Sequence, residues 1–454
     1  MKREMFRSTG VLAAVSLLVL LTACTVHAAE AAQPPLNQPP EGFTALFNGK
    51  DLTGWKGLLK GPYDNPAKRA TLAPNELQEL QKEADEDMRA HWRVVDGVLT
   101  FDGKGRSLCT GKDYGDFEMF VDWKIEKGGD SGIYLRGSPQ VQIWDTALKA
   151  VGAQVGSGGL YNNQKNASKP TKVADKPVGE WNTFRIGMIG DRVTVTLNGE
   201  IVVDNVIMEN YWERDKPIYP TGQIELQNHG NFLYFRNIYI RELPREKGTN
   251  KLTAQEQSEG FTQLFNGTDL TGWVGGPQGY LIRDGLLLID PSQGGGGNLF
   301  TEKEYGDFVF RFEFRLSPGA NNGVGIRAPL TGNPAYDGME IQILDDVSPR
   351  YRGWLKDYQH HGSIYGVVPA KTGCLKPWGL WNSEEITAKG KQITVKVNGE
   401  TIVDADIEKA STPKTLDGGE HPGLKRASGH IGFCGHGDYL EIRNIRVKSL
   451  DGQQ

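Results

Sequence analysis

The chain has 454 residues, 24% of them charged, and a formal net charge of −5. No global basic field recommends nucleic acid as a partner, and the length exceeds one ordinary core, so two or three domains are expected. The 58 glycines fall between short apolar-alternating runs while aromatic residues hold at 9%, a pattern of turns between strands rather than of disorder.

At the start of the chain, Lys2, Arg3 and Arg7 precede an apolar run from Val11 to Leu21. That run suits the central region of a signal peptide and is too short to span a bilayer. It ends in Leu21-Thr22-Ala23-Cys24, which resembles the lipobox of bacterial lipoproteins, where the cysteine is lipidated and tethers the mature chain to a membrane. The competing reading is an ordinary signal peptide cut after Ala29-Glu30-Ala31. Either way the protein is expected to be exported, to the periplasm or the cell surface. Residues 1–24 are the leader, and Pro34, Pro35, Pro39 and Pro40 mark a 25–40 tether. The lipid anchor is the only membrane contact expected.

Phe43 to Trp55 reads Phe-Thr-Ala-Leu-Phe-Asn-Gly-Lys-Asp-Leu-Thr-Gly-Trp. The next segment, Pro74 to Ala90, is rich in helix formers with Pro near its start, and its charge predicts a solvated surface helix. Period-two alternation then predicts strands: Phe117 to Ile125, Ile133 to Arg136, Gln140 to Asp145, Val193 to Leu197 and Ile224 to Gln227. Asn198-Gly199 closes a hairpin. After a polar linker over 244–258 the series begins again.

Phe261 to Trp273 repeats the opening stretch with two changes, Ala45/Gln263 and Lys50/Thr268. Tyr114-Gly-Asp-Phe117 returns as Tyr305-Gly-Asp-Phe308, Gln142-Ile-Trp-Asp145 as Gln342-Ile-Leu-Asp345, and Trp181-Asn182 as Trp381-Asn382. Asn198-Gly199 returns as Asn398-Gly399, and Arg236-Asn-Ile238 as Arg443-Asn-Ile445. Colinear matches across both halves mean domain duplication: copy one over 41–243, copy two over 259–450. The expected fold class is all-β, a two-sheet jelly-roll sandwich in each copy with a short helical insertion in the first. Cys109, Cys374 and Cys434 have no metal-binding spacing, and a Cys374–Cys434 bridge is left open.

Alternation also sorts the faces. Val141 and Ile143 oppose Gln140, Gln142 and Trp144; Ile133 and Leu135 oppose Tyr134 and Arg136; Ile224 and Leu226 oppose Glu225 and Gln227, with His229 beyond. In copy two Glu340 and Gln342 share a face, Arg327 repeats Arg136, Asp345 repeats Asp145 and His436 repeats His229. Planar amides, charges and aromatic platforms suit sugars, whose hydroxyls need partners and whose C–H faces stack on rings. A single polar residue here is more simply a solvated sheet face, but the recurrence of Gln142/Gln342, Asp145/Asp345, Arg136/Arg327 and His229/His436 in diverged copies weighs toward a shared site.

Leu46-Phe-Asn-Gly to Leu-Thr-Gly-Trp55, Asp130-Ser-Gly-Ile-Tyr-Leu-Arg136, Gln140-Val-Gln-Ile-Trp-Asp145, Glu180-Trp-Asn182 and Phe235-Arg-Asn-Ile238 together resemble the 3-keto-disaccharide hydrolase domain family, a concanavalin-like jelly roll. The resemblance covers both copies almost entirely and implies processing of glycosides oxidised at C3. A C3 ketone acidifies the C2 proton, so a base removes it, the C1 substituent leaves by elimination, and water adds to the product. That chemistry needs a base, a partner for the enolate and an acid for the leaving oxygen, but not the two spaced carboxylates of an ordinary glycosidase, and it requires no cofactor. The substrate class is an oligosaccharide or glycoside.

On this basis copy two is assigned Glu340 or His436 as base and Arg327 as enolate or hydroxyl partner. Gln342, Asp345 and Tyr365 are its sugar ligands, with His361 (and His360) as second-choice acid. Copy one has Gln140 where copy two has Glu340, and an amide cannot act as base. It would rely on His229, Asp145 or Asp130, or only bind, with Tyr134, Trp144 and Tyr161 as stacking surfaces beside Arg136, Gln140 and Gln142. Copy two in turn has Asn321-Asn-Gly-Val-Gly in place of Asp130-Ser-Gly-Ile-Tyr, so neither copy holds the whole family pattern. Asp345, Asp346, His360 and His361 are candidate metal ligands, and a structural Ca²⁺ on the loops stays open although no metal-motif spacing is present. The alternative to an enzyme is a non-catalytic carbohydrate-binding surface protein on the same fold, and a weaker third reading is an adhesion module.

Overall fold

The computed structural model describes residues 35–137, 140–294 and 296–451; the leader and the proposed lipidation site Cys24 lie outside them. The fold is all-β, with four antiparallel sheets making two sandwiches. In the first, one sheet runs in the order Glu200–Ile207, Arg192–Leu197, Asn182–Ile189, Phe117–Ile125, Phe232–Glu242, Val98–Asp102 and Trp92–Val95, and Thr44–Ala45 also pairs with Phe232–Glu242. The facing sheet runs Trp55–Gly57, Leu108–Thr110, Glu225–Leu226, Asp130–Tyr134 and Gln140–Trp144. The second sandwich repeats this order, and its five-stranded sheet is Trp273–Gly275, Asn298–Thr301, His430–Gly435, Asn321–Ala328 and Met339–Leu344.

The alternation in the sequence decides which side of each strand enters the core. In Phe308–Leu316 the rings of Phe308, Phe310, Phe312 and Phe314 are buried between the sheets, each contributing about 1.5–3 kcal/mol by leaving water. The side chains between them turn outward and pair across strands: Arg311 with Glu385, Glu313 with Arg443, Arg315 with Glu441. Asn198 and Asn398 sit at φ 52° before Gly199 and Gly399 at positive φ, the backbone that a two-residue hairpin requires.

Much of the repeat proves to be scaffold. Trp55 and Trp273 donate their indole N–H to Leu46 and Leu264 carbonyls. The Asn182 and Asn382 side chains accept from the backbone of Lys176 and Lys376 and from Asn198 and Asn398. The three cysteines outside the leader are free thiols, so no Cys374–Cys434 bridge forms.

The insertion in copy one folds as a helix over Pro74–His91, preceded by a short one over Pro66–Arg69 capped by Asn65. The long helix is not wholly solvated as its charge suggests. Ala84 and Met88 are buried, and Gln81 and Asp85 bond the carbonyl and N–H of Gly57. This satisfies part of an otherwise open edge strand.

The two sandwiches are joined by buried contacts. Arg192 forms an ion pair with Asp290 and donates to the Ser292 hydroxyl at 2.9 Å. Trp378 lies against Gly187, where a Cβ would collide with its ring, and the Arg185 guanidinium lies over the ring at 5.2 Å. Ile189 and Leu243 of copy one enter the apolar cluster of copy two.

Candidate active site

Along Met339–Leu344, Ile341 and Ile343 are buried in the core, and Glu340 and Gln342 point to the opposite face of the sheet. The neighbouring strand presents Gly325 opposite Glu340 and Gly323 opposite Gln342. A Cβ on Gly323 would overlap the Glu340 carboxyl, so the glycine lets that side chain lie across the strand. There its Oε1 meets His436 Nε2 at 2.7 Å. Burial acts to lower the His436 pKa, but the bonded Glu340 carboxylate, aided by Asp438, outweighs it and holds the imidazole above its ordinary value. The Gln342 amide donates to Asn321 Oδ1 at 2.6 Å and to the Asn322 carbonyl.

These groups floor a cleft of about 370 Å³ in copy two, with Tyr336, Tyr351, Trp354 and Tyr365 around it and Asn321, Asn333 and Gln359 between. The volume lies in the range of small-molecule sites. Gln359 donates weakly to the Tyr365 hydroxyl at 3.4 Å. Of these residues the sequence reading found Glu340, Gln342, Tyr365 and His436. It missed Tyr336, Tyr351 and Trp354, the rest of the aromatic ring, whose signal was the clustering of Tyr351, Trp354 and Tyr358 ahead of Tyr365 in a segment without strand periodicity.

Five assignments change, two in copy one and three in copy two. Arg327 does not face the cleft: at φ 46° and buried, it donates to the Gly306 and Gly390 carbonyls and pairs with Asp307 at 3.0 Å. Arg136 repeats this in copy one with Gly115, Gly190 and Asp116, so the recurrence preserves a buried tie between loops and not a substrate contact. Asp345 accepts from the Gly319 N–H at 2.8 Å and lies at the junction between the sandwiches, where burial pushes its carboxyl up to about 6. Asp145 likewise holds the Gly128 and Ala147 N–H groups. His361 is no surface acid. It is buried beside Phe314, with Nδ1 on the Leu344 N–H and Nε2 at 3.5 Å from Glu384, and desolvation drives its pKa down to about 3.

The metal candidates do not converge either. Asp346 pairs with His360 at 3.1 Å, while Asp345 and His361 turn elsewhere. Among the described residues no group of three or more His, Cys, Asp and Glu side chains is placed to share a metal ion.

Copy one carries the same face with different chemistry. Gln140 donates to Gln142 at 2.6 Å, and Gln142 donates to Asp130 at 2.7 Å. His229 lies a looser 3.5 Å from Asp130. Burial raises the Tyr134 hydroxyl, helped by Glu225 beside it. Trp144 is buried and bonds the Gly156 carbonyl, so Tyr161, edge-on to it at 5.7 Å, is the exposed ring of the pair. A cleft of about 180 Å³ reaches Gln142, Trp144 and Tyr161 but not Gln140, Tyr134, Asp130 or His229.

A duplicated jelly roll with a carboxylate–imidazole pair and amides on one sheet face, rimmed by tyrosines from the connecting segments, has the features of a carbohydrate-processing sandwich. More narrowly, the chain belongs to the 3-keto-alpha-glucoside-1,2-lyase-like domain family, whose model matches residues 42–241 and again 260–448. A 3-keto-disaccharide hydrolase of Bacteroides thetaiotaomicron is 24% identical over 276 residues, spanning 48% of this chain and 84% of that protein. Two crystal structures of candidate glycosyl hydrolases from Parabacteroides distasonis are also similar. One has 27% identity, a TM-score of 0.39 and coverage of 44% of this chain and 99% of that one. The other has 30% identity, a TM-score of 0.38 and coverage of 42% and 99%. Membership of this family, with the hydrolase relative, makes the chain a hydrolase-like, glycoside-processing protein.

Proposed function

We propose that copy two cleaves glycosides oxidised at C3, by removal of the C2 proton, elimination at C1 and hydration. The observation that carries this is the Glu340–His436 pair, bonded at 2.7 Å on the floor of an open, tyrosine-lined cleft. His436 takes the C2 proton, and Glu340 holds the ring and stabilises the imidazolium that forms. The C–H electrons become the C2–C3 double bond of an enolate whose O3 accepts from the Tyr365 hydroxyl, the donor that replaces Arg327 in this account. When the enolate collapses back to the ketone, C1–C2 becomes a double bond and the C1–O bond breaks. The leaving oxygen takes the proton from His436, and water then adds across C1–C2.

Copy one has no carboxylate at the Glu340 position, and its amide chain favours binding over proton transfer. In this reading it holds glycan while copy two reacts. Export and the lipid anchor expected from the leader belong to the same proposal, because oxidised glycosides would then be met outside the cytoplasm.

The test is incubation with an aryl 3-keto-glucoside beside its unoxidised parent. Aglycone release from the keto form alone, slowed by deuterium at C2, supports the reading. Equal release from both, or release from neither, overturns it.

A further inference from the structure

A cleft of about 710 Å³ lies away from the Glu340–His436 pair, between the helical insertion of copy one and its five-stranded sheet. Lys56, Arg69, Lys82 and Arg89 line it. None of the four is in an ion pair among the described residues; Arg69 spends only one nitrogen, on the Tyr63 and Asp64 carbonyls. Two carboxylates also line the cleft. Asp85 is committed to the Gly57 N–H and to Gln81, and Asp113 is the other. Arg69 also acts on the sheet carboxyl Glu225, but burial outweighs it and pushes that group up to about 8, so it is largely protonated at neutral pH and does not cancel the guanidinium.

A second observation points to a ligand. Gln223 lines the same cleft, is 4% exposed, and its Oε1 has no hydrogen-bond partner, which is costly unless a donor arrives. Gln78 supplies a further amide, while Pro66, Ala70 and Leu77 supply apolar wall. None of this is inherited from the shared scaffold. Copy two has Val274 where copy one has Lys56, and it passes from Trp273 to Tyr280 without the helices.

We infer that the insertion makes copy one a binding site for an acidic saccharide, with Lys56, Arg69, Lys82 and Arg89 meeting carboxylates and Gln223 and Gln78 meeting hydroxyls. The uncharged apolar wall takes the C–H faces of the rings. The site is a binding subsite, independent of the chemistry at Glu340, and would hold charged glycan on the chain while copy two acts.

The full chain is titrated calorimetrically at low ionic strength with trigalacturonic acid and with its neutral methyl ester, sodium sulfate serving as competitor. The acid is expected to bind and the ester not. Lys56→Gln and Lys82→Gln should each weaken the acid by about tenfold, the effect of removing one charged hydrogen-bond donor, with turnover of 3-keto-glucoside unchanged. Lys82 lies on the exposed side of its helix, so its loss cannot be mistaken for unfolding. Equal binding of acid and ester, variants that bind like the parent, no binding at all, or full displacement by equimolar sulfate would each overturn the inference.

Discussion

A Cβ at Gly323 runs into the Glu340 carboxyl, so Gly323→Ala must push the carboxylate off His436. Turnover of a 3-keto-glucoside should fall by about 10²-fold, the scale of a lost acid–base contribution. Gly132→Ala, which crowds Gln140 in copy one, should leave it unchanged. The same pair sets a pH dependence. Because the Glu340 carboxylate outweighs burial and holds the His436 pKa above the ordinary value, the base is protonated at acid pH and activity rises with pH through a limb lying above 6.5. Glu340→Gln removes the main raising influence and leaves burial opposed only by Asp438, so the His436 ring, followed by NMR titration, should lose its proton at lower pH than in the parent. At this scale the sequence was legible where a residue's partner stood at a fixed strand offset: Glu340 and Gln342 had to share a face. It misled at Arg327 and Asp345. Repetition in two copies marks equally a catalytic group and a side chain that ties loops, and only the positive φ and the carbonyl partners separate the two.

The strand Trp381–Lys389 carries a second lesson. Glu384 occupies the core position that Phe184 holds in copy one. Both its oxygens lack hydrogen-bond partners, and burial raises its pKa well above the carboxylate value, with His361 held neutral 3.5 Å away. The folded chain therefore keeps Glu384 protonated, while the unfolded chain ionises it above the usual 4.5. Stability tied to this group is complete below that value and drains as pH rises. Glu384→Met should raise the melting temperature at pH 8, by removing an unsatisfied buried group worth about 1–3 kcal/mol, and should raise it less at pH 5; a larger gain at pH 5 would reverse the sign argued here. Composition announced the helix at Pro74–His91 because it depends on local propensity. Its role as an edge cap and cleft wall was hidden, since that depends on Gly57 and Gln223, which are remote in sequence.

Across the whole molecule, the duplication was plain in the sequence, but the junction of the copies was not, because Arg192, Gly187 and Trp378 stand where the other copy has Gln392, Thr387 and Val178. Arg192 and Asp290 are both largely buried where they meet, and truncating one partner leaves the other charge uncompensated at a cost of about 3–5 kcal/mol. The parent should melt in one calorimetric transition and Arg192→Ala in two; a single transition in both would mean the sandwiches are coupled by other contacts. The central claim is a division of labour between two copies of one scaffold. Its most direct test is aglycone release from a 3-keto-glucoside by Glu340→Gln beside Asp130→Asn. The account predicts a fall of about 10²-fold or more in the first and parental turnover in the second. Parental turnover in Glu340→Gln, or loss in Asp130→Asn alone, would contradict it.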